Sequence, residues 1–284
     1  MKTKKPQTIS NDIAQLKKYA QDLAEVYKSE KEKGEELQIS EQQLEKYADD
    51  LNKTILELKA THKELQEAYL DTIYRLVLAA EYRDEDTGNH IVRMSRYCAL
   101  IAEKLGLPAK EVQNILYAAP MHDVGKIGIP DSILLKPGKL TDEEFDIIKM
   151  HSTIGAKILA NSKAEILNVA EKIALSHHEK WNGKGYPQGL SGDNIPLVGR
   201  IVGLADAFDA LTSKRPYKDP YPVEMAIDII KQERGQHFDP DMVDVFMENI
   251  DEVLKIKAEV HLKEGLSLAD FSKSERDQLE GINE

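Results

Sequence analysis

The chain is 284 residues long, 41% hydrophobic, with a formal net charge of -12; that is apolar material enough for one sizeable domain with chain to spare, and too much for a disordered protein. The acidic balance argues against a nucleic-acid polymer or an anionic membrane as partner, so an anionic ligand must be captured by a local cationic pocket. A single cysteine, Cys98, excludes an internal disulfide and a thiolate metal cluster, no apolar run approaches the roughly 18–20 residues of a membrane span, and "MKTKKPQTIS" has no apolar core behind it, so a cytoplasmic protein is expected.

From Ile9 onward one heptad register is kept. Leu16, Leu23, Leu37, Leu44, Leu51, Leu58 and Leu65 share position d with Ile9, while position a holds Ile13, Ala20, Tyr27, Ala48, Ile55, His62 and Tyr69. With no proline between Pro6 and Pro108, the pattern predicts a coiled-coil helix rather than a globular one. "QLKKYAQDL" from Gln15 recurs as "QLEKYADDL" from Gln43, an offset of 28 residues that preserves the seam. Glu30 at d, with Gly34 and Glu41 at a, interrupts it and predicts a soft joint. Residues 1–72 are therefore expected to be a dimerising or signalling helix in a parallel homodimer.

After Tyr69 the rhythm changes. "TIYRLVLAAEYRD" is apolar and helical, "EDTGNH" breaks it, and Ile91, Met94, Cys98, Ile101 and Leu105 mark a helix of 3.6-residue period. "PAKEVQNILYAAPMHD" reads as a further helix; "TDEEFDIIKMHSTIGAKILA" opens with a capping-box spacing between Thr141 and Glu144. "AEILNVAEKIALSHH", "LVGRIVGLADAFDALTS" and two segments from Val223 and Asp241 complete an all-α set, with no sustained strand alternation.

Polar residues interrupt these apolar faces at His90, His122, Asp123, His151, His177, His178 and Asp206. Five of the eight histidines joined to apolar helices, several beside aspartate, suit a metal site with nitrogen and oxygen ligands. Adjacent helical side chains diverge by about 100°, so His177 and His178 cannot easily converge on one ion. Two ions a few Å apart would accept both, with a carboxylate such as Asp123 between them. Asp209, one turn after Asp206, is the natural partner to orient a ligand imidazole.

The blocks "RDEDTGNHIVR", "HDVGKIGIPDSILLKPGKLT", "HSTIGAKIL", "HHEKWNGKGYPQGL", "IPLVGRIVGLADAFDALTSKRPYK" and "GQHFDP" resemble, in this order, those of the HD-GYP phosphodiesterases, a branch of the HD metal-dependent phosphohydrolases. The resemblance implies an HD-type helical domain over residues 73–258 that hydrolyses cyclic di-GMP to pGpG or GMP with two or three Fe or Mn ions. It implies His90, His122, Asp123, His151, His177, His178 and Asp206 as ligands. Where many members have Glu four residues before His90, this chain has Asp86, shorter by one methylene, so a binuclear and a trinuclear centre both stay open. Lys126, Arg215 and Lys218 match phosphate-contacting cations, and Tyr186 either contacts a guanine or braces the turn. Gly183 and Gly185 are expected to supply backbone conformations closed to other residues, while Asp84 and His237 are expected to have structural or orienting roles.

The expected chemistry is attack by a hydroxide bridging two ions, with Asp123 and Lys126 in catalytic roles. Two alternatives are a non-catalytic cyclic-dinucleotide receptor or scaffold signalling through the coiled coil, and an HD hydrolase of another nucleotide. An upstream sensor or regulatory protein is the expected source of input. Residues 259–284 form a C-terminal extension without a readable motif.

Overall fold

The computed structural model describes residues 6–81, 88–214 and 219–262, and among these every regular element is a helix, with one isolated bridge between Arg234 and Phe238 in place of a sheet. It divides into two compact units, Met1–Gln66 and Glu67–Glu284. Helix α1 (Pro6–Glu81) is unbroken through residues 30–41, where the interrupted seam predicted a joint. A lone glycine there costs about 1 kcal/mol of helix propensity, too little to end a helix of this length. Along the first unit Leu16, Leu23, Leu37, Leu44, Leu51, Leu58 and Leu65 are all 60–70% exposed.

In the second unit the last turns of α1 bury Leu70, Tyr74, Val77 and Ala80. Helix α2 (Gly88–Lys104) follows the predicted period and buries Ile91, Met94, Tyr97, Cys98 and Ile101, with Cys98 a core thiol. Helix α3 (Ala109–Ala118) is shorter than its sequence suggests. Pro120 has no N–H to give, and the chain tightens into a 3₁₀ helix over Ala119–Gly128 that carries His122, Asp123 and Lys126. At three residues per turn, positions 123 and 126 fall on one side.

After the short α4 (Asp131–Leu134), α5 (Asp142–Leu159) starts at the capping box, Thr141 accepting from the Glu144 N–H and Glu144 from the Thr141 N–H. Helix α6 (Glu165–Ser176) ends on His177 as its C-cap, α7 (Leu197–Thr212) is buried along Ile201, Val202, Leu204, Ala205 and Phe208, and α8 (Val223–Gln232), α9 (Pro240–Glu248) and α10 (Ile250–Leu262) close the core through Ile230, Phe246 and Val253. Two glycines let backbones touch. A Cβ on Gly125 would fall within the His151 carbonyl, and one on Gly203 would lie 2.7 Å from the His177 carbonyl oxygen. These approaches bring the 3₁₀ helix onto α5, and α7 onto the end of α6, and so draw their histidines together.

Candidate metal centre

Helix α2 begins beside His90, the 3₁₀ helix presents His122 and Asp123, α5 presents His151, the end of α6 presents His177 and His178, and α7 presents Asp206. Asp123, His151, His177 and His178 each place one ligand atom within 4.8 Å of the others, and His90, His122 and Asp206 form a second such group. The adjacent pair therefore falls in one group rather than being shared between two ions as expected, because α6 ends at Ser176 and the two rings, freed from helical divergence, lie 4.0 Å apart at 42°. Asp123 joins the two. Its Oδ1 lies 3.2 Å from His151 Nε2 and 3.5 Å from His177 Nε2, while its Oδ2 lies 3.3 Å from His122 Nε2. On the other side Asp206 Oδ1 stands 3.8 Å from His90 Nε2 and 3.9 Å from His122 Nε2.

The opposite ring nitrogens are already engaged. His122 Nδ1 is 3.0 Å from the Ala119 carbonyl, His151 Nδ1 2.7 Å from that of Ile148, and His177 Nδ1 3.0 Å from that of Ile173. His90 Nδ1 lies 2.7 Å from Asp209 Oδ2, which also accepts from Arg93 Nη2 at 2.8 Å, while Arg93 Nε donates to Asp209 Oδ1 at 2.6 Å. A neutral imidazole that donates from Nδ1 has only a lone pair at Nε2. Four such lone pairs and two carboxylates thus face one another. Buried His122 Nε2 and Asp123 Oδ1 have no hydrogen-bond partner, an expensive arrangement unless a cation lies between them. The residues fit divalent metal ions of the kind that take imidazole and carboxylate.

The electrostatics agree. Burial opposes charge on His122, yet the carboxylates of Asp123, Asp206 and Glu81 outweigh it and raise its pKa to about 10, so this strongly negative pocket draws a proton to Nε2 that a metal ion must displace to reach the lone pair. Burial pushes His177 below the usual histidine range and His178 well below it, favouring the neutral, ligating form. Burial would raise the Asp209 carboxyl, but hydrogen bonds from Arg93 and His90 hold it below the carboxylate range.

Lys126 lies beside the pocket with Nζ 2.7 Å from Asp123 Oδ2. Tyr186 has its ring 4.7 Å from that of His178 at 31°, and burial, then the Asp123 charge, raises its phenol pKa. The Tyr186 N–H donates to the His178 carbonyl. Gly183 has φ +77° as expected, whereas Gly185 serves by contact: a Cβ there would run into the Glu179 and Lys180 backbone. His237 supports the same loop, its carbonyl accepting from the Trp181 N–H at 3.0 Å and its ring stacked on Phe238 at 4.2 Å. Asp84, Asp86, Arg215 and Lys218 lie outside the described residues.

Three groups escaped the sequence reading. Arg93 holds Asp209, and only its one-turn spacing from His90 hinted at this. Glu81, buried at the end of α1, feels Lys126, Asp123, His122 and His90, and burial raises its pKa. Glu179, next to the histidine pair, accepts from the Gln188 N–H at 2.7 Å and the Leu190 N–H at 3.0 Å, tying the ends of the loop together.

Comparison with known proteins agrees with this arrangement. Residues 77–242 match the HD domain family. The chain is 48% identical over 190 residues to the cyclic di-GMP phosphodiesterase response regulator RpfG of Xanthomonas campestris, covering 67% of this chain and 50% of that protein. It is 45% identical over 204 residues to 3'3'-cGAMP-specific phosphodiesterase 2 of Vibrio cholerae, covering 72% and 38%, and 45% identical over 199 residues to a cyclic di-GMP phosphodiesterase of Thermotoga maritima, covering 69% and 54%. The chain thus spans about half the length, or less, of these curated relatives. The crystal structure of a cyclic GMP-AMP specific phosphodiesterase of V. cholerae, V-cGAP3, shares the fold at a TM-score of 0.51 and 20% identity, over 71% of this chain and 52% of that one. With the paired His and Asp at 122–123, the Gly-Tyr-Pro at 185–187 and the matched span, the chain belongs to the HD domain family, in its HD-GYP branch.

Proposed function

We propose that this protein is a metal-dependent phosphodiesterase that hydrolyses cyclic di-GMP to pGpG or GMP. The observation that carries the reading is the pair of ligand groups facing each other across Asp123, with the Nε2 atoms of His90, His122, His151 and His177 turned inward. When bound, two or three Fe or Mn ions supply Lewis acidity and lower the pKa of water towards 7. The chain's own groups do the rest. Asp123, His151, His177 and His178 hold one side, and His90, His122 and Asp206 the other, with Asp86 as a further carboxylate for a third ion. Asp209 and Arg93 keep the His90 ring in its ligating orientation. Lys126 sets its ammonium where phosphate oxygens gain charge in the transition state, and Arg215 and Lys218 are the further phosphate-contacting cations. Tyr186 keeps its phenolic proton and walls the site beside His178.

Residues 1–72 are read as a helix that pairs two copies in parallel through the exposed leucine stripe, with residues 73–258 as the hydrolase and residues 259–284 as an extension. No described helix is long and apolar enough to cross a membrane, and a cytoplasmic enzyme taking input from an upstream sensor or regulatory protein completes the reading. The 45% identity to a 3'3'-cGAMP-specific enzyme favours one second reading, the mixed cyclic dinucleotide as substrate.

The test is hydrolysis by protein loaded anaerobically with Fe(II) or Mn(II), with products separated by chromatography. Wild type is expected to cleave cyclic di-GMP, and the double variant His122→Ala, Asp123→Ala to lose all activity while keeping its helical circular dichroism. Loaded wild type that leaves every cyclic dinucleotide intact would end the proposal.

A further inference from the structure

A large aromatic side chain stands exposed at the rim of the metal centre. Phe145, on the first turn of α5, is 46% exposed, and its ring meets that of Tyr186 edge to face, 6.4 Å apart at 80°. Tyr186 in turn lies against His178 and stands 6.4 Å from the ring of His151. A chain of rings therefore runs from the ligand histidines to the surface. Lys149, one turn along α5 from Phe145, places its Nζ 5.0 Å from the centre of the Phe145 ring and 6.0 Å from that of Tyr186, while bonded to Asp146 Oδ1 at 2.6 Å.

An exposed Phe with a Lys one turn on is worth a few tenths of a kcal/mol to a helix. That accounts for neither the ring's contact with a loop residue 41 positions away nor its place beside the catalytic pocket. A nucleobase needs two things from a protein, a π face to stack on and a partner for its edge. Phe145 offers the face, and stacking of this kind tolerates any base. Lys149 offers the discrimination. Guanine presents two acceptors, O6 and N7, on one edge, to which a lysine ammonium donates; adenine replaces O6 by an amino donor that repels it.

We propose that Phe145 and Lys149, with Tyr186, form a subsite for one purine of the substrate and select guanine over adenine there. The inference rests on the cyclic dinucleotide reading above. With a phosphodiester held beside Asp123 and Lys126, one of its nucleosides extends past Tyr186 and lays its base on Phe145, Lys149 bonding to O6 and N7. Loss of the ring weakens ground-state binding more than turnover, because the base is remote from the reacting phosphorus.

Steady-state kinetics of metal-loaded wild type, Phe145→Ala, Phe145→Leu and Lys149→Met, with cyclic di-GMP as substrate and 3'3'-cGAMP and cyclic di-AMP as competing ligands, test it. Both Phe145 variants are expected to raise KM for cyclic di-GMP about tenfold, about 1.4 kcal/mol, with kcat within about twofold; Phe145→Leu keeps the apolar bulk, so the shift reports the ring. Lys149→Met is expected to narrow the gap in affinity between cyclic di-GMP and cyclic di-AMP at least fivefold. Wild-type KM values in the Phe145 variants, or an unchanged gap in Lys149→Met, overturn the subsite while hydrolysis stands. A wild type that prefers cyclic di-AMP overturns the guanine assignment, and one that cleaves none of the three removes the reading beneath it.

Discussion

Asp209 commits both carboxylate oxygens inside the protein, Oδ1 to Arg93 and Oδ2 to His90 and Arg93, with the Ser213 hydroxyl also donating to Oδ2 at 3.2 Å. Its charge is held by this fork rather than by solvent, and the fork fixes which nitrogen of His90 carries the proton. Asp209→Asn puts an amide donor among donors, and one of the two partners must turn away. Loosening a ligand's supporting partner typically costs 10–100-fold in metal affinity; metal titration of the variant is expected to show a loss of that order with helical content intact, and wild-type affinity would count against the role. Asp209 was legible from its spacing to Asp206. Arg93 was not, because its partner lies 116 residues further along the chain and no local pattern records such a pair.

The segment between α6 and α7 is held by contacts that belong to no regular helix. Glu179, 6% exposed, accepts two loop N–H groups, the Trp181 and Asn182 N–H groups donate to the His237 and Gln236 carbonyls, and the Gly192 N–H donates to the Trp181 carbonyl. Arg200 lies over the Trp181 ring at 5.7 Å while bonded to Asp239 at 2.7 Å. This is how "GQHFDP", a block with no visible chemistry, serves the site. Glu179→Ala removes the carboxylate that accepts from the Gln188 and Leu190 N–H groups, hydrogen bonds to a charged group worth about 1.5–3 kcal/mol each. Trp181 is the only tryptophan, so its emission is expected to move to the red and trypsin to cut faster at Lys180 or Lys184; an unchanged spectrum would show that the carboxylate does not hold the loop. The element boundaries moved for similar reasons. The predicted helix ending at Asp123 becomes a 3₁₀ helix from Ala119 because Pro120 interrupts the ladder, which the sequence displayed but its apolar period concealed.

At the scale of the whole molecule the heptad register leaves seven leucines 60–70% exposed on one stripe of α1, far more apolar surface than a lone helix keeps in water. Light scattering at micromolar concentration is expected to give a dimer, and Leu51→Asp, which buries a charge in the seam, to move it towards monomer; a monomeric wild type would remove the pairing. The sequence by itself determined the all-α class, the long first helix, the capping box at Thr141 and a set of imidazoles and carboxylates suited to metal. Helical periods and caps are local, written in residues three or four apart, and such chemistry is a matter of side-chain type. Only the tertiary structure divided those groups into two sets meeting at Asp123, joined His90 to Asp209 across 119 residues and set Phe145 beside Tyr186. Those distances depend on how closely the 3₁₀ helix meets α5 at Gly125 and α7 meets α6 at Gly203, and backbone contact between segments far apart in the chain leaves no periodic trace in either one.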